Sequence, residues 1–324
     1  MRAIVMDHYG SPDVLNLEQI DRPEPGPGEV LVRTRASSVN PYDWHLLTGE
    51  PKLFRPTFGG LRRPKNPVLG ADLSGTVEEI GEGVTGFAPG DEVYGQIPSG
   101  AFADFAVADA GILAPKPAGL SHEEAAVIPL AGLTALQGLR DHGGVADGDR
   151  VVVNGASGGV GTLTVQIAAH LGCEVTAVCS GRNADLVRAL GADHVVDYTT
   201  DDFTAEAGRY DLILDLVGNR SLRDLRRALA EGGTYLASHG QPEHRWLGPI
   251  FFLVRMVVTK VFTREQLKTY VAHLSADDLR ILGDLAAAGT IRPVIDRSFP
   301  LEQVADAFRH LETWRTRGKI AITI

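Results

Sequence analysis

Cysteine is almost missing from this chain: Cys173 and Cys179 are the two among 324 residues. Two thiols this close together exclude a disulfide framework. They flank or lie in the apolar run 174–179, where buried, reduced thiols are expected. Long uncharged apolar runs are missing as well, and no stretch of about eighteen such residues offers a membrane span. The nearest approach, 246–262, is interrupted by Arg255 and Lys260 and reads as a partly buried helix or lid. Contact with a membrane surface or a partner is the alternative for that segment. The N-terminus reads as a strand and lacks the apolar core and cleavage site of a secretory signal. Positive charge is in deficit too: the net charge of −10 argues against a general nucleic-acid binder. A local basic cluster at 55–65 is the solvated face of a loop. These absences together lead us to expect a cytoplasmic protein.

What is present falls into blocks. At this length two domains are expected. The first 118 residues carry short strand-like runs at 29–36, 72–80, 91–95 and 102–108, punctuated by Pro-rich stretches at 23–27 and 64–67. From Ser121, with Glu124 three residues on as a capping box, the texture changes. Strand candidates at 150–154, 174–179, 194–197, 212–217 and 234–237 alternate with helical stretches such as 159–171 and 222–230. Such alternation specifies a parallel sheet covered on both faces. The tail returns to strand character at 292–299 and 319–324, where a last strand rejoins the first domain.

The strongest local motif is Val151-Val152-Val153-Asn154-Gly155-Ala156-Ser157-Gly158-Gly159-Val160-Gly161. A β-branched run enters glycines, a helix follows to Leu171, Gly172 ends it, and a second strand runs to Cys179. Glycines let backbone amides approach a pyrophosphate, and the helix N-terminus adds partial positive charge. The pattern predicts dinucleotide binding through Ala156, Ser157, Gly158, Gly159 and Val160; a structural turn is the alternative. An NAD-selective site places Asp or Glu after the second strand. Here Ser180, Gly181, Arg182 and Asn183 stand there, with no carboxylate before Asp185. Ser180 and Asn183 carry hydrogen-bond donors, and Arg182 suits a 2′-phosphate, so NADPH is expected over NADH. The alternative for Arg182 is a solvated surface cation. Tyr198, after the third strand, flanks the adenosine or merely packs.

Along nearly its whole length the chain resembles the medium-chain dehydrogenase/reductase superfamily, in the zinc-independent quinone-oxidoreductase and zeta-crystallin branch. The resemblance is carried by Ser37-Ser38-Val39-Asn40-Pro41-Tyr42-Asp43-Trp44, by Leu69-Gly70-Ala71-Asp72-Leu73-Ser74-Gly75-Thr76-Val77 and by Phe87-Ala88-Pro89-Gly90-Asp91-Glu92-Val93. Ala131-Gly132-Leu133-Thr134-Ala135, the glycine motif and Leu190-Gly191-Ala192-Asp193 complete it. It implies an α/β protein: a Rossmann doubly wound parallel sheet at 119–263, and a GroES-like β-rich substrate domain from 1–118 with 264–324. The active site would lie in the cleft between them. Asn40 and Thr134 would meet the nicotinamide half, Val217 and Gly218 the adenosine side, and the backbone from Ser238 to Gly240 the carboxamide. A homodimer through the edge of the nucleotide-domain sheet is implied as well.

Zinc-dependent relatives carry a Cys soon after the early strand, a Gly-His-Glu motif and a four-cysteine lobe. This chain has Ser38 in the first region and Ala71-Asp72 in place of His-Glu, so no metal is expected. Without zinc to polarise a simple carbonyl, hydride transfer to a quinone or an α,β-unsaturated carbonyl is the easier reaction. His45, five residues after Asn40, is the candidate proton or hydrogen-bond donor, with a structural loop histidine as the alternative. Tyr42 is a weaker candidate; Asp43 and Asp72 read as structural. The loop at 50–67, with Phe54, Phe58 and Leu61, and the 246–262 segment would frame an apolar acceptor pocket. Two other readings stay open. One is an NADPH-binding structural or regulatory protein with little catalysis, the other an alcohol or aldehyde oxidoreductase.

Overall fold

A computed structural model of the chain describes residues 1–52, 55–58, 60–61, 63–238 and 265–324. Phe54, Gly240 and the 246–262 segment lie outside the described residues, as does the side chain of Phe58.

The chain opens with an antiparallel pair, β1 (Arg2–Met6) and β2 (Leu15–Gln19). The long strand β3 (Glu29–Val39) runs directly into helix α1 (Pro41–Thr48). Local chemistry explains that junction. Asn40 sits at the N-cap, Pro41 starts the helix where its missing N–H costs nothing, and Asp43 returns to the Asn40 backbone. Gly49, at φ 61°, closes the helix in a left-handed conformation. Strands β4 (Asp72–Ile80), β5 (Glu92–Gln96), β6 (Phe105–Asp109) and β7 (Leu113–Pro115) follow, then α2 (His122–Ala126). The Ser121–Glu124 capping box forms as predicted, with Ser121 N–H 2.8 Å from Glu124 Oε2 and Glu124 N–H 3.2 Å from Ser121 Oγ.

After α3 (Pro129–Gln137) the alternation begins: β8 (Arg150–Asn154), α4 (Gly159–His170), β9 (Glu174–Cys179), α5 (Ala184–Ala189) and β10 (His194–Asp197). Then come β11 (Tyr210–Asp215), α6 (Leu222–Ala228), β12 (Leu229–Ala237) and β13 (Gln266–Thr269). These strands form one six-stranded parallel sheet in the order β10-β9-β8-β11-β12-β13. That is the doubly wound order, with its switch point between β8 and β11. Val152, Val178, Ile213 and Tyr235 belong to one buried cluster of this sheet, as strands covered on both faces require.

The chain then gives α7 (Ala276–Ala287), β14 (Ile295–Pro300), α8 (Val304–Leu311) and β15 (Lys319–Thr323). The last strand does rejoin the first sheet, whose order is β14-β15-β3-β4-β5-β7, with β6 on β3. β15 pairs antiparallel with the end of β3, Ile320 opposite Val39 and Ala321 opposite Ser38. Lys319 thereby arrives beside Asn40.

The two compact units are 1–133 with 273–324, and 134–272. Both boundaries fall later than the 118/119 and 263/264 positions read from the sequence. Helix α2 packs on β3 and β4 of the first sheet, which keeps it there. Strand β13 pairs with β12, which keeps 266–269 in the parallel sheet.

Candidate functional site

The glycine turn lies at the C-terminal end of β8, beside the switch point. Gly155, at φ 93°, takes a conformation that disfavours a side chain, and its N–H and that of Ala156 both donate to Val178 O at 3.1 Å. Gly161 lets α4 sit against the turn: a Cβ there would come within 2.1 Å of Gly155 O. Gly158 is the reverse case, since a Cβ there would meet nothing nearer than Gly155 O at 3.5 Å. The space above Gly158 and the first amides of α4 is therefore open, as a bound pyrophosphate requires. Ala156 is fully buried, while Ser157, Gly158, Gly159 and Val160 are partly exposed around that space.

Ser180 and Asn183 are brought to the same turn. Asn183 donates to Ser157 Oγ at 2.9 Å and to Ser180 Oγ at 3.3 Å. Both amide hydrogens are thus used within the chain, and its buried Oδ1 has no partner among the described residues. The donors noted in the sequence are thus spent within the chain, and what Asn183 offers a ligand is an acceptor. Arg182 and Tyr198 are exposed, Tyr198 by 50%. The Asp197 carboxylate lies against Gly181, where a Cβ would be 2.4 Å from Oδ2.

Across the switch point, the buried Asp215 holds the other wall. Its Oδ1 accepts from Asn154 Nδ2 (2.8 Å), Val217 N–H (3.0 Å) and Gly218 N–H (2.9 Å). Its Oδ2 accepts from the Tyr235 hydroxyl at 3.0 Å, and burial, reinforced by this carboxylate, pushes the Tyr235 pKa up. Val217 and Gly218 lie just past β11 in the turn that Asp215 ties down, not in the strand read at 212–217. Thr134 and Ser238, far apart in sequence, also converge: the Tyr270 hydroxyl donates to Thr134 O at 2.6 Å and bonds the Ser238 side chain. Asp215, Asn154 and Tyr270 escaped the sequence reading. A carboxylate ending a buried strand three residues before a glycine is the signal that points to Asp215.

In the other unit, the Asn40 turn is a buried polar cluster. The Asn40 amide donates to Asp72 Oδ2 at 3.0 Å and to Asp43 Oδ2 at 3.1 Å, and its Oδ1 accepts from Lys319 Nζ. Ser38 Oγ donates to Asp72 Oδ2 at 2.5 Å, Leu130 N–H to Asp72 Oδ1 at 2.8 Å, and Lys319 Nζ lies 3.2 Å from Asp72 Oδ2. Asn40 is 1% exposed, so its amide is spent inside its own unit. Asp43 is fully buried; Oδ2 accepts from Asn40 N–H at 2.9 Å and Oδ1 has no partner among the described residues. Burial, and then the nearby Asp72, push its pKa up to about 7.

His45 sits in the same helix, bonded to the loop that follows it. Its Nδ1 lies 2.8 Å from Glu50 O, and a carbonyl only accepts, so Nδ1 carries the hydrogen and Nε2 is left as an acceptor. Burial lowers its pKa, so the ring is neutral near pH 7. As placed, His45 has its Nδ1 hydrogen held by the Glu50 carbonyl and presents Nε2 as an acceptor. Tyr42 OH donates to Pro98 O at 3.2 Å, and burial raises its pKa.

Zinc does not fit these residues. Ala71 offers no donor, and Asp72 is already engaged by Ser38, Asn40, Leu130 and the Lys319 ammonium. Catalytic zinc needs three protein ligands.

A family model described as the alcohol dehydrogenase GroES-like domain matches residues 26–118, and one described as a zinc-binding dehydrogenase matches 190–322. A mitochondrial NAD(P)H oxidoreductase of Mus musculus is 33% identical over 100% of this chain and 89% of its own length. An NADPH-dependent alkenal/one oxidoreductase of Arabidopsis thaliana chloroplasts is 32% identical, over 99% of this chain and 79% of its own. The solved structure of the quinone oxidoreductase from Coxiella burnetii superposes with a TM-score of 0.86 at 29% identity, covering 100% of this chain and 99% of that one.

Proposed function

Because the chain belongs to the medium-chain dehydrogenase/reductase superfamily, in its quinone-oxidoreductase branch, we propose that it is an NADPH-dependent oxidoreductase reducing quinones or α,β-unsaturated carbonyls without zinc. The observation that carries the reading is the glycine turn, packed tightly at Gly161 and open at Gly158. The amides of 157–161 would hold the pyrophosphate, with Ser180 and Arg182 beside the adenosine ribose and Val217 with Gly218 on the adenosine side. Thr134 would meet the nicotinamide half and the backbone at Ser238 its carboxamide, a reading supported by the Tyr270 hydroxyl that joins the two. The bound cofactor supplies hydride. The Asp72 surroundings support a reaction without a metal, and conjugated acceptors suit it because the charge formed spreads over the conjugated oxygen.

The absence of a carboxylate between Cys179 and Asp185 supports NADPH. One observation favours NADH instead: the unpartnered Asn183 Oδ1, with Asp197 close by, suits a 2′-hydroxyl better than a phosphate. Arg182→Ala separates the two readings. A loss of about ten- to a hundred-fold in NADPH affinity, with NADH unchanged, supports the phosphate contact; equal losses reject it. NADPH consumption against a panel of quinones and enones tests the activity, and binding without turnover would favour a structural or regulatory role.

A further inference from the structure

A buried lysine facing two buried carboxylates is costly to desolvate and demands a reason. Lys319 is 6% exposed, and Asp72 and Asp43 are both fully buried. The groups facing Asp43 come from three elements: Asn40 and Tyr42 at the start of α1, Asp72 on β4 and Lys319 on β15. Two carboxylates and one ammonium leave this pocket one negative charge in excess, unless a proton joins it. Asp43 Oδ1, dry and unpartnered among the described residues, is the seat for that proton.

The amide between these charges has one stable orientation. An ammonium requires the Asn40 carbonyl oxygen, and the carboxylates require its NH2; turning the amide over would set like against like at each contact. The amide in turn holds Asp43, whose Oδ2 accepts the backbone N–H of Asn40, the N-cap of α1. A line of contacts therefore runs from the ammonium through Asn40 and Asp43 to the helix carrying Tyr42 and His45. The chain holds Asp72 against a cation fixed covalently to β15.

We propose that Lys319 is a positioning residue: its ammonium serves as a built-in cation that locks the Asn40–Asp43 turn and so sets α1 for turnover. The inference rests on the oxidoreductase reading above, and its test must separate the two.

Lys319→Met is compared with Lys319→Met/Asp72→Asn, in which the uncompensated charge is removed. For the single variant, Tm falls by about 5–10 °C and kcat by about ten- to a hundred-fold. NADPH affinity, measured by cofactor fluorescence, stays within about twofold, because the glycine turn belongs to the other unit. In the double variant Tm recovers by at least half while kcat stays at least about tenfold down, since the ammonium that fixes the amide oxygen is gone. Recovery of kcat together with Tm would show that Lys319 only balances charge and would overturn the proposal. If the single variant does not fold, the double variant decides by the same criterion. Hydrogen exchange of the Asn40 side-chain amide, followed by NMR, gives a readout without turnover. Protection in the unaltered chain, lost in the double variant, supports the lock; unprotected exchange in the unaltered chain refutes it. Protection without turnover on any quinone or enone would refute the oxidoreductase reading alone.

Discussion

Replacing Asp43 by Asn tests the buried cluster through pH alone. The change is nearly isosteric: the new Oδ1 keeps the contacts from Asn40 N–H and Nδ2 that Oδ2 now accepts at 2.9 and 3.1 Å. It also mimics the carboxyl with its proton on. Asp43 rises from 3.8 in the unfolded chain to about 7 when folded. The native state therefore holds a proton that the unfolded state has released, and over that window stability falls as pH rises. Each pH unit within the window is worth about 1.4 kcal/mol. From pH 5 to pH 8 the unaltered chain should lose roughly 3 kcal/mol relative to Asp43→Asn, or about 6–12 °C in Tm. His45 acts in the opposite sense, since a lowered imidazole pKa costs stability as pH falls, but it is common to both proteins and cancels in the difference. Differential scanning calorimetry of the two proteins across pH 5–8 measures the gap. A constant gap would mean that Asp43 is ionised throughout and that burial does not govern it.

The glycine turn offers a separation of binding from folding. Gly158→Val adds its side chain to open space at an extended φ of −84°, so Tm should move by less than about 2 °C while dinucleotide affinity drops at least about tenfold. Isothermal calorimetry checks this, and unchanged affinity would remove the turn from the binding site. Burial pushes both Cys173 and Cys179 up to about 11, so neither should react with iodoacetamide in an hour at pH 7.5, and both should react in urea. Native labelling of either, read by mass spectrometry, would contradict its placement.

The parallel-sheet unit was legible because its signals are local. Runs at 150–154, 174–179 and 194–197 are strands over the same residues, since a β-branched run, a glycine turn and a helix each announce themselves within a few positions. The domain boundaries were not legible, because the short α2 and β13 owe their allegiance to sheets built from distant sequence. The Asn40 cluster was hidden for the same reason: Lys319 is 279 positions from Asn40 and 247 from Asp72. Part of it was still readable. Asn, then Pro, then Asp three residues on is an N-cap, a first helical turn and a capping partner, which marks Asn40 and Asp43 as helix-start residues.

That difference follows from what each unit uses to recognise its ligand. A pyrophosphate is held by backbone amides, which every residue owns, so the chain must only supply glycines and a helix in the right order, and sequence order is visible. Side-chain chemistry depends on what each group is already bonded to. Asn40, His45 and Asn183 are the right residue types for their expected contacts, yet Asn40 gives its donors to Asp72 and Asp43, His45 gives its hydrogen to Glu50, and Asn183 gives its two to Ser157 and Ser180. A polar side chain can serve a ligand only with the hydrogen-bonding capacity its own fold leaves over. By that count His45 Nε2 and Asn183 Oδ1 are acceptors, which favours partners that bring their own hydrogen, a hydroxyl or a protonated acceptor oxygen, over partners that need one supplied.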